Sequence, residues 1–440
     1  MSITHIQGPL PGPKSKALLG QWREYEADVT GFQAPVVWES AKGCVVTDVD
    51  GNRFIDWTSG VLVTNVGHCH PHLVEKTQAA TAQLLNNYEC ANVQRIEAAK
   101  RLVEALPPHL DKCFFLTTGS EVTEAAGRLM KRRSGKYEIL SFEGGFHGRT
   151  SSAAAMGGLA GPKKGYGPAL PGIIRLPFPN PYRDPYGWCD DGPEFAKYFA
   201  HVESVTSANS TGSLAGLIVE PYQGAAGFIF PPEGWLKRLE EWARAQGLLF
   251  TLDEVQSSYG RTGKMWAMEH EGLTPDIVSI GKAIGCGVPV SAVAATSDVF
   301  SCLSKGEMSS TLGGNPVASA AVCAVLDIYE RENLVENSVE MGAYMKQRLE
   351  ELAEQCPYLG DVRGMGLVMG LEFVKDKATK EPAPELIKPI IERCANEGLL
   401  VGSVGIHGNV IRVAPPLVIT REEADESLAA MERVLRTLKA

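Results

Sequence analysis

A chain of 440 residues exceeds what one ordinary hydrophobic core supports, so two or three domains are expected. With 44% hydrophobic and 21% charged residues it reads as a globular protein, and a formal charge of −10 argues against nucleic acid or an anionic membrane as partner. No apolar run is long enough to span a membrane, the first residues lack a basic-then-apolar leader, and ten cysteines lie scattered without CxxC spacing. A cytoplasmic protein with reduced thiols is expected.

Residues 1–35 are rich in Pro and Gly and predict an arm with one helix over 18–26. Three short strands follow, over 36–39, 43–48 and 53–57, with Asp50-Gly51 as a hairpin turn. Gly67-His68-Cys69-His70-Pro71-His72 places three histidines together, but in no standard ligand spacing, so no metal site is assigned and a turn into a helix from Pro71 is expected. Strands and helices then alternate over roughly 250 residues, the α/β signature. The expected strands are 113–116, 138–142, 173–176, 215–219, 248–252 and 277–280, with helices over 96–106, from 119 to about 131, and over 234–245. After Asn315-Pro316 come helices over 318–330, 334–353, 384–397 and 421–438 with apolar strand-like segments 362–373, 399–401 and 410–413.

Five places carry candidate chemistry. The apolar run 276–280 ends at Gly281-Lys282, followed at once by a glycine-rich turn. Burial lowers the pKa of an amine and makes it a nucleophile toward an aldehyde, although a lysine snorkelling from a strand end has the same look. Asp253 closes the apolar run 248–252, where a carboxylate needs a cation such as a protonated heteroaromatic nitrogen, or else caps a helix. Thr118-Gly119-Ser120 passes from a strand to a helix, an N-cap that also suits one phosphate, whereas neither GxxxxGK nor a correctly placed GxGxxG is present. Phe146-His147-Gly148-Arg149 offers rings and a guanidinium beside glycines, and Arg412 interrupts an apolar run where an unpaired charge costs several kcal/mol.

Taken in order, Asp48-Val49-Asp50-Gly51, Gly67-His68-Cys69-His70-Pro71, Thr118-Gly119-Ser120-Glu121, Phe146-His147-Gly148-Arg149-Thr150, Glu220-Pro221, Asp253-Glu254-Val255-Gln256, Gly260-Arg261-Thr262-Gly263, Lys282 and Gly314-Asn315-Pro316 resemble the class III (ω-type) aminotransferases, from about residue 35 to the end. The resemblance implies fold type I: a mainly parallel seven-stranded sheet in a large α/β domain, with a small α+β domain. It also implies pyridoxal 5'-phosphate bound as a Schiff base on Lys282, with Asp253 at the ring nitrogen. Gly119, Ser120, Phe146, His147, Glu220, Gln256 and Thr311 would complete the cofactor site, Thr311 from the neighbouring subunit of a homodimer or dimer of dimers. Val61, Arg149 and Arg412 would face the substrate.

Within the family the chain is similar to 4-aminobutyrate aminotransferase and to 2,2-dialkylglycine decarboxylase. It departs from the former at Ala225, where a gating glutamate is expected, and from the latter at Val61 and Phe146. The expected domains are 1–65, an arm and strands of the small domain, then 66–316, which binds the cofactor, and 317–440. The expected activity moves an amino group from a small amine or amino acid to a 2-oxo acid. Racemisation, decarboxylation or elimination on the same fold, and a non-catalytic binding protein, are the alternatives.

Overall fold

Successive apolar runs separated by glycine turns build the chain into two units in a computed structural model that describes residues 2–31, 33–190 and 192–438. The larger comprises 72–260 and 264–332; the smaller comprises the described residues of 1–71, 261–263 and 333–440. The strands in chain order are β1 (Trp38–Lys42), β2 (Val45–Asp48), β3 (Arg53–Asp56), β4 (Lys112–Leu116), β5 (Glu138–Phe142), β6 (Ile173–Leu176), β7 (Leu214–Val219), β8 (Leu249–Asp253), β9 (Ile277–Ile280), β10 (Ser291–Ala295), β11 (Leu359–Met365), β12 (Val368–Phe373), β13 (Leu399–Leu400), β14 (Gly402–Val404) and β15 (Val410–Val413).

The larger unit is built on a seven-stranded sheet in the order β4-β10-β9-β8-β7-β5-β6. From β6 to β9 every pair is parallel; β10 runs antiparallel to both β9 and β4. Strands β5, β9 and β10 are buried at every residue, as expected of a sheet covered on both faces. The helix Gly119–Ser134 covers part of it. Val122, Ala126, Leu129 and Met130 pack in one cluster with Ile139, Ile218, Ile277 and Val293. Each aliphatic side chain so buried stabilises by roughly 1.5–3 kcal/mol. The helix ends where Gly135 turns left-handed at φ 70° after Lys131, Arg132 and Arg133 in the last turn.

The sequence reading has no strand at β10. Its Ser-Ala-Val-Ala-Ala holds one β-branched residue, so local propensity is weak, and its placement between β9 and β4 comes from packing. The helix Ala196–Asn209 also escapes that reading. The expected break after residue 316 differs from the packing as well. Helix Pro316–Arg331 stays in the larger unit, where Arg101 of helix Val93–Ala105 donates to the Cys323 carbonyl at 3.0 Å and to the Asp327 and Glu330 carboxylates.

In the smaller unit, β1, β2 and β3 form an antiparallel sheet that β13 extends in parallel on β3, tying the beginning of the chain to its end. A second, antiparallel sheet has the order β11-β12-β15-β14. What reads as one apolar segment over 362–373 is the hairpin β11–β12, turned by Gly366 at φ 56°. A Cβ there would fall 2.6 Å from the Thr262 carbonyl carbon, so only glycine lets the segment 261–263 lie against this turn.

Candidate active site

Parallel strands β8 and β9 end side by side, with Asp253 in register with Ser279. Asp253 is the last residue of its strand and is 5% exposed. Its Oδ2 accepts from His147 Nδ1 at 2.7 Å and its Oδ1 from the Val255 N–H at 3.1 Å. It caps no helix. Burial disfavours the imidazolium, but the hydrogen bond and charge of Asp253, with Glu220 beyond, raise the His147 pKa above its ordinary value. Glu220 accepts from the Phe146 N–H at 2.9 Å and from the Gly224 N–H at 3.0 Å, so it anchors the loop that carries Phe146. Burial, opposed by His147 and reinforced by Asp253, pushes its carboxyl up to about 7.

Lys282 follows β9 after one glycine and has a left-handed backbone, φ 49°. That conformation is uncommon outside glycine and costs about 1 kcal/mol, a strain typical of functional positions. Val255 lies between two glycines. A Cβ on Gly119 would stand 3.2 Å from its Cγ1, and one on Gly281 would stand 3.0 Å away. The lysine turn and the start of helix Gly119–Ser134 thus close on one side chain. That helix has a capping box, Thr118 accepting from Glu121 N–H and Glu121 from Thr118 N–H. The first-turn N–H groups of Gly119 and Ser120 have no acceptor within their own helix, an arrangement that suits an anion. Ser120 Oγ accepts from the Arg149 N–H at 3.0 Å, joining the Phe146 loop to the same helix end. Arg149 is exposed, its guanidinium 5.8 Å from the Phe146 ring centroid.

Gln256 Oε1 is buried without a hydrogen-bond partner among the described residues. A Cβ on Gly224 would fall 2.0 Å from it, so Gly224 makes room for the amide. A buried orphan acceptor costs 1–3 kcal/mol. Its presence next in sequence to the Asp253–Val255 hydrogen bond fits a group with both a ring nitrogen and a phenolic oxygen.

The structure therefore gathers Gly119, Ser120, Phe146, His147, Glu220, Asp253, Gln256 and Lys282 on the larger unit, at the helix-119 end and the ends of β8 and β9. Thr311 lies on that unit too, on an exposed bend, and among the described residues no hydrogen bond ties it to these. Val61 and Arg412 belong to the smaller unit. Arg412 is 5% exposed in the middle of β15, and its guanidinium makes no hydrogen bond or ion pair among the described residues, with Nε fully buried. Burial lowers its pKa, partly offset by the charge of Asp56. Asp56 itself is occupied by His68 Nε2 at 2.9 Å and the Thr58 N–H at 2.7 Å. The motif histidines are likewise engaged: His72 Nε2 meets Asp327 at 2.6 Å, and no cluster suited to a metal exists among the described residues.

Sequence reasoning missed Val255, Gly224 and Gly402. The last is findable in principle as a lone glycine beside a strand pattern. A Cβ on it would lie 2.5–2.7 Å from the Arg412 guanidinium, which rests flat on that backbone.

A strand-end lysine, a buried acid held by a histidine and an open helix N-terminus define an enzyme that works through pyridoxal 5'-phosphate. The chain belongs to the class-III aminotransferases, whose family model matches residues 27–435. It is 34% identical to an alanine/serine racemase of Pyrococcus horikoshii, over 97% of this chain and 91% of that protein. It is 33% identical to a probable 4-aminobutyrate aminotransferase of Bacillus subtilis, over 90% and 92% of the two. A solved aminotransferase structure from Bacillus anthracis superposes with a TM-score of 0.90 at 29% identity, covering 97% of this chain and 99% of that one. The protein is a pyridoxal-phosphate-dependent aminotransferase.

Proposed function

We propose that the chain moves the amino group of an α-amino acid to a 2-oxo acid, with Arg412 receiving the α-carboxylate of each. One observation carries this reading: a buried guanidinium that makes no hydrogen bond or ion pair among the described residues. Burying an unpaired arginine costs several kcal/mol, so a bidentate carboxylate is the ligand that repays it. Ala225 stands where the resembled aminobutyrate enzymes carry a gating glutamate, so no acid occupies that position to neutralise the arginine. A cation that is always available suits a donor and an acceptor that both bring an α-carboxylate.

When bound, pyridoxal 5'-phosphate supplies an aldehyde and an electron-withdrawing ring through which the amino group changes hands. Lys282 Nζ is the group for covalent attachment, and it takes and returns the proton at substrate Cα. The Asp253 carboxylate, oriented by His147 and the Val255 N–H, would hold the ring nitrogen protonated. The N–H groups of Gly119 and Ser120 would bind the phosphate, with Thr311 of a neighbouring subunit. Phe146, on the loop that Glu220 fixes, would cover the ring, and Gln256 would meet the phenolic oxygen. Arg149 and Val61 line the substrate side.

The assembly proposed is a homodimer or a dimer of dimers. Leu84, Leu85, Tyr88, Val93 and Ile96 support it, all exposed within one short stretch. A monomeric mass on sedimentation would sink that part. A cytoplasmic location is supported by ten cysteines of which none is in a disulfide.

Racemisation is the second reading, favoured by the racemase relative and by the same arginine, since a racemase also keeps one carboxylate in place. One experiment separates the two. Holoenzyme is mixed with a panel of α-, β- and ω-amines without acceptor, and the cofactor spectrum and products are followed. Stoichiometric 2-oxo acid with loss of the cofactor aldehyde is expected; inversion of the amino acid with the aldehyde retained would replace transamination by racemisation.

A further inference from the structure

We propose that Arg261 is a positioning residue for substrate carboxylates: its guanidinium sets where β15 presents Arg412. This rests on the reading of Arg412 given above. Arg261 is fully buried, and the segment 261–263 packs with the smaller unit although the chain on both sides of it belongs to the larger. Its Nη1 donates to the Leu367 carbonyl at 2.9 Å and the Pro415 carbonyl at 2.6 Å. Its Nη2 donates to Asn65 Oδ1 at 2.5 Å and reaches Ser59 Oγ at 3.4 Å. The Ser59 hydroxyl then donates to the Ala414 carbonyl. One planar fork thus joins three separate stretches, and two of its links end on Ala414 and Pro415, two and three residues beyond Arg412.

Holding a cation in so buried a place is expensive, and an aliphatic side chain would fill the volume at less cost. What the guanidinium adds is direction. Its five donors point along fixed lines from one plane, which the three donors of a lysine, radiating from a single atom, cannot reproduce. Two features need such direction. The Arg412 guanidinium lies close against Gly402 of the neighbouring strand, so a shift of β15 carries it along. Opposite, Ser59, Gly60, Val61 and Leu62 have φ values of 46°, 57°, 70° and 61°, a left-handed turn. For the three side-chain-bearing residues such a backbone is uncommon, and for a β-branched valine it is a genuine outlier. The turn is retained by bonds at both ends: Thr58 caps it by accepting from the Gly60 N–H, and Ser59 is tied to Arg261 and Ala414. Arg261 therefore couples the position of Val61 to that of Arg412.

The test uses holoenzyme and two probes, propionate and uncharged propionamide, with calorimetric affinities. Arg261→Lys and Ser59→Ala are each expected to weaken propionate about tenfold and leave propionamide unchanged. Both should raise KM for the α-amino donor by a similar factor, with kcat within about twofold. Wild-type propionate affinity and KM in folded Ser59→Ala would overturn the proposal, as would parallel losses in kcat and in both probes, the mark of a purely structural role. Ser59→Ala decides alone if Arg261→Lys does not fold. Arg412→Met is the control: propionate binding that survives it would refute the reading of Arg412, whereas its loss there and persistence in Ser59→Ala would refute only the role of Arg261.

Discussion

His147 Nδ1 donates to Asp253 Oδ2 over 2.7 Å between two side chains that are almost wholly buried. The pair has a pH signature. Because the folded imidazole is raised above the unfolded value of about 6.5, its contribution is complete below that value and is lost as pH rises through the folded one. Urea unfolding of the apoprotein should show stability falling upward from about pH 6.5, and the fall should be smaller in His147→Gln. Equal slopes in the two proteins would show that the imidazolium is not the form the fold holds.

Arg412→Met separates function from stability. Removing this buried charge should raise KM for carboxylate substrates about 100-fold, the loss of a bidentate pair, while the protein stays as stable or gains about 1 kcal/mol. Steady-state kinetics and chemical denaturation measure the two effects, and a loss of several kcal/mol in stability would mean the arginine is structural.

Gly402→Ala places a methyl 2.5 Å from Arg412 Nη2. The neighbour is the far end of a flexible side chain, so the fold should accommodate it with a melting temperature within a few degrees of wild type. The guanidinium must then move by about 1 Å, and KM for carboxylate substrates should rise at least tenfold. An unchanged KM would show that the flat contact does not set the binding geometry.

Glu254 is fully buried, with Oε1 accepting from the Met268 N–H and Oε2 from the Ala267 N–H and the Ser257 hydroxyl. Burial outweighs these bonds and pushes the carboxyl up to about 7. A raised folded value means stability is complete below the unfolded pKa of about 4.3 and is lost as pH rises through 7. Relative to Glu254→Gln, the wild type should lose at most about 3 kcal/mol between those limits. Parallel pH profiles would mean that the carboxyl titrates normally.

The residues proposed to carry the chemistry were legible in the chain because each breaks a local rule. Lys282 and Asp253 close apolar runs, Gly119 and Ser120 open a helix, and Arg412 sits charged in an apolar run. Local mismatches of this kind survive only where something else compensates them, so they stand out in one dimension. Strand–helix alternation, too, is a local pattern, and it pointed to an α/β fold.

Tertiary structure decided the rest, because it depends on contacts between distant residues. Strand β10 has too little propensity to declare itself and exists by being enclosed on both sides. Helix Pro316–Arg331 reads like the helices after it, yet Arg101 keeps it in the larger unit. Gly224, Gly402 and Val255 matter only for what stands opposite them, and no spacing reports that. In sequence Arg261 is only one member of the motif Gly260-Arg261-Thr262-Gly263; its burial among the oxygens of Ser59, Asn65, Leu367 and Pro415 emerges only when four remote stretches meet.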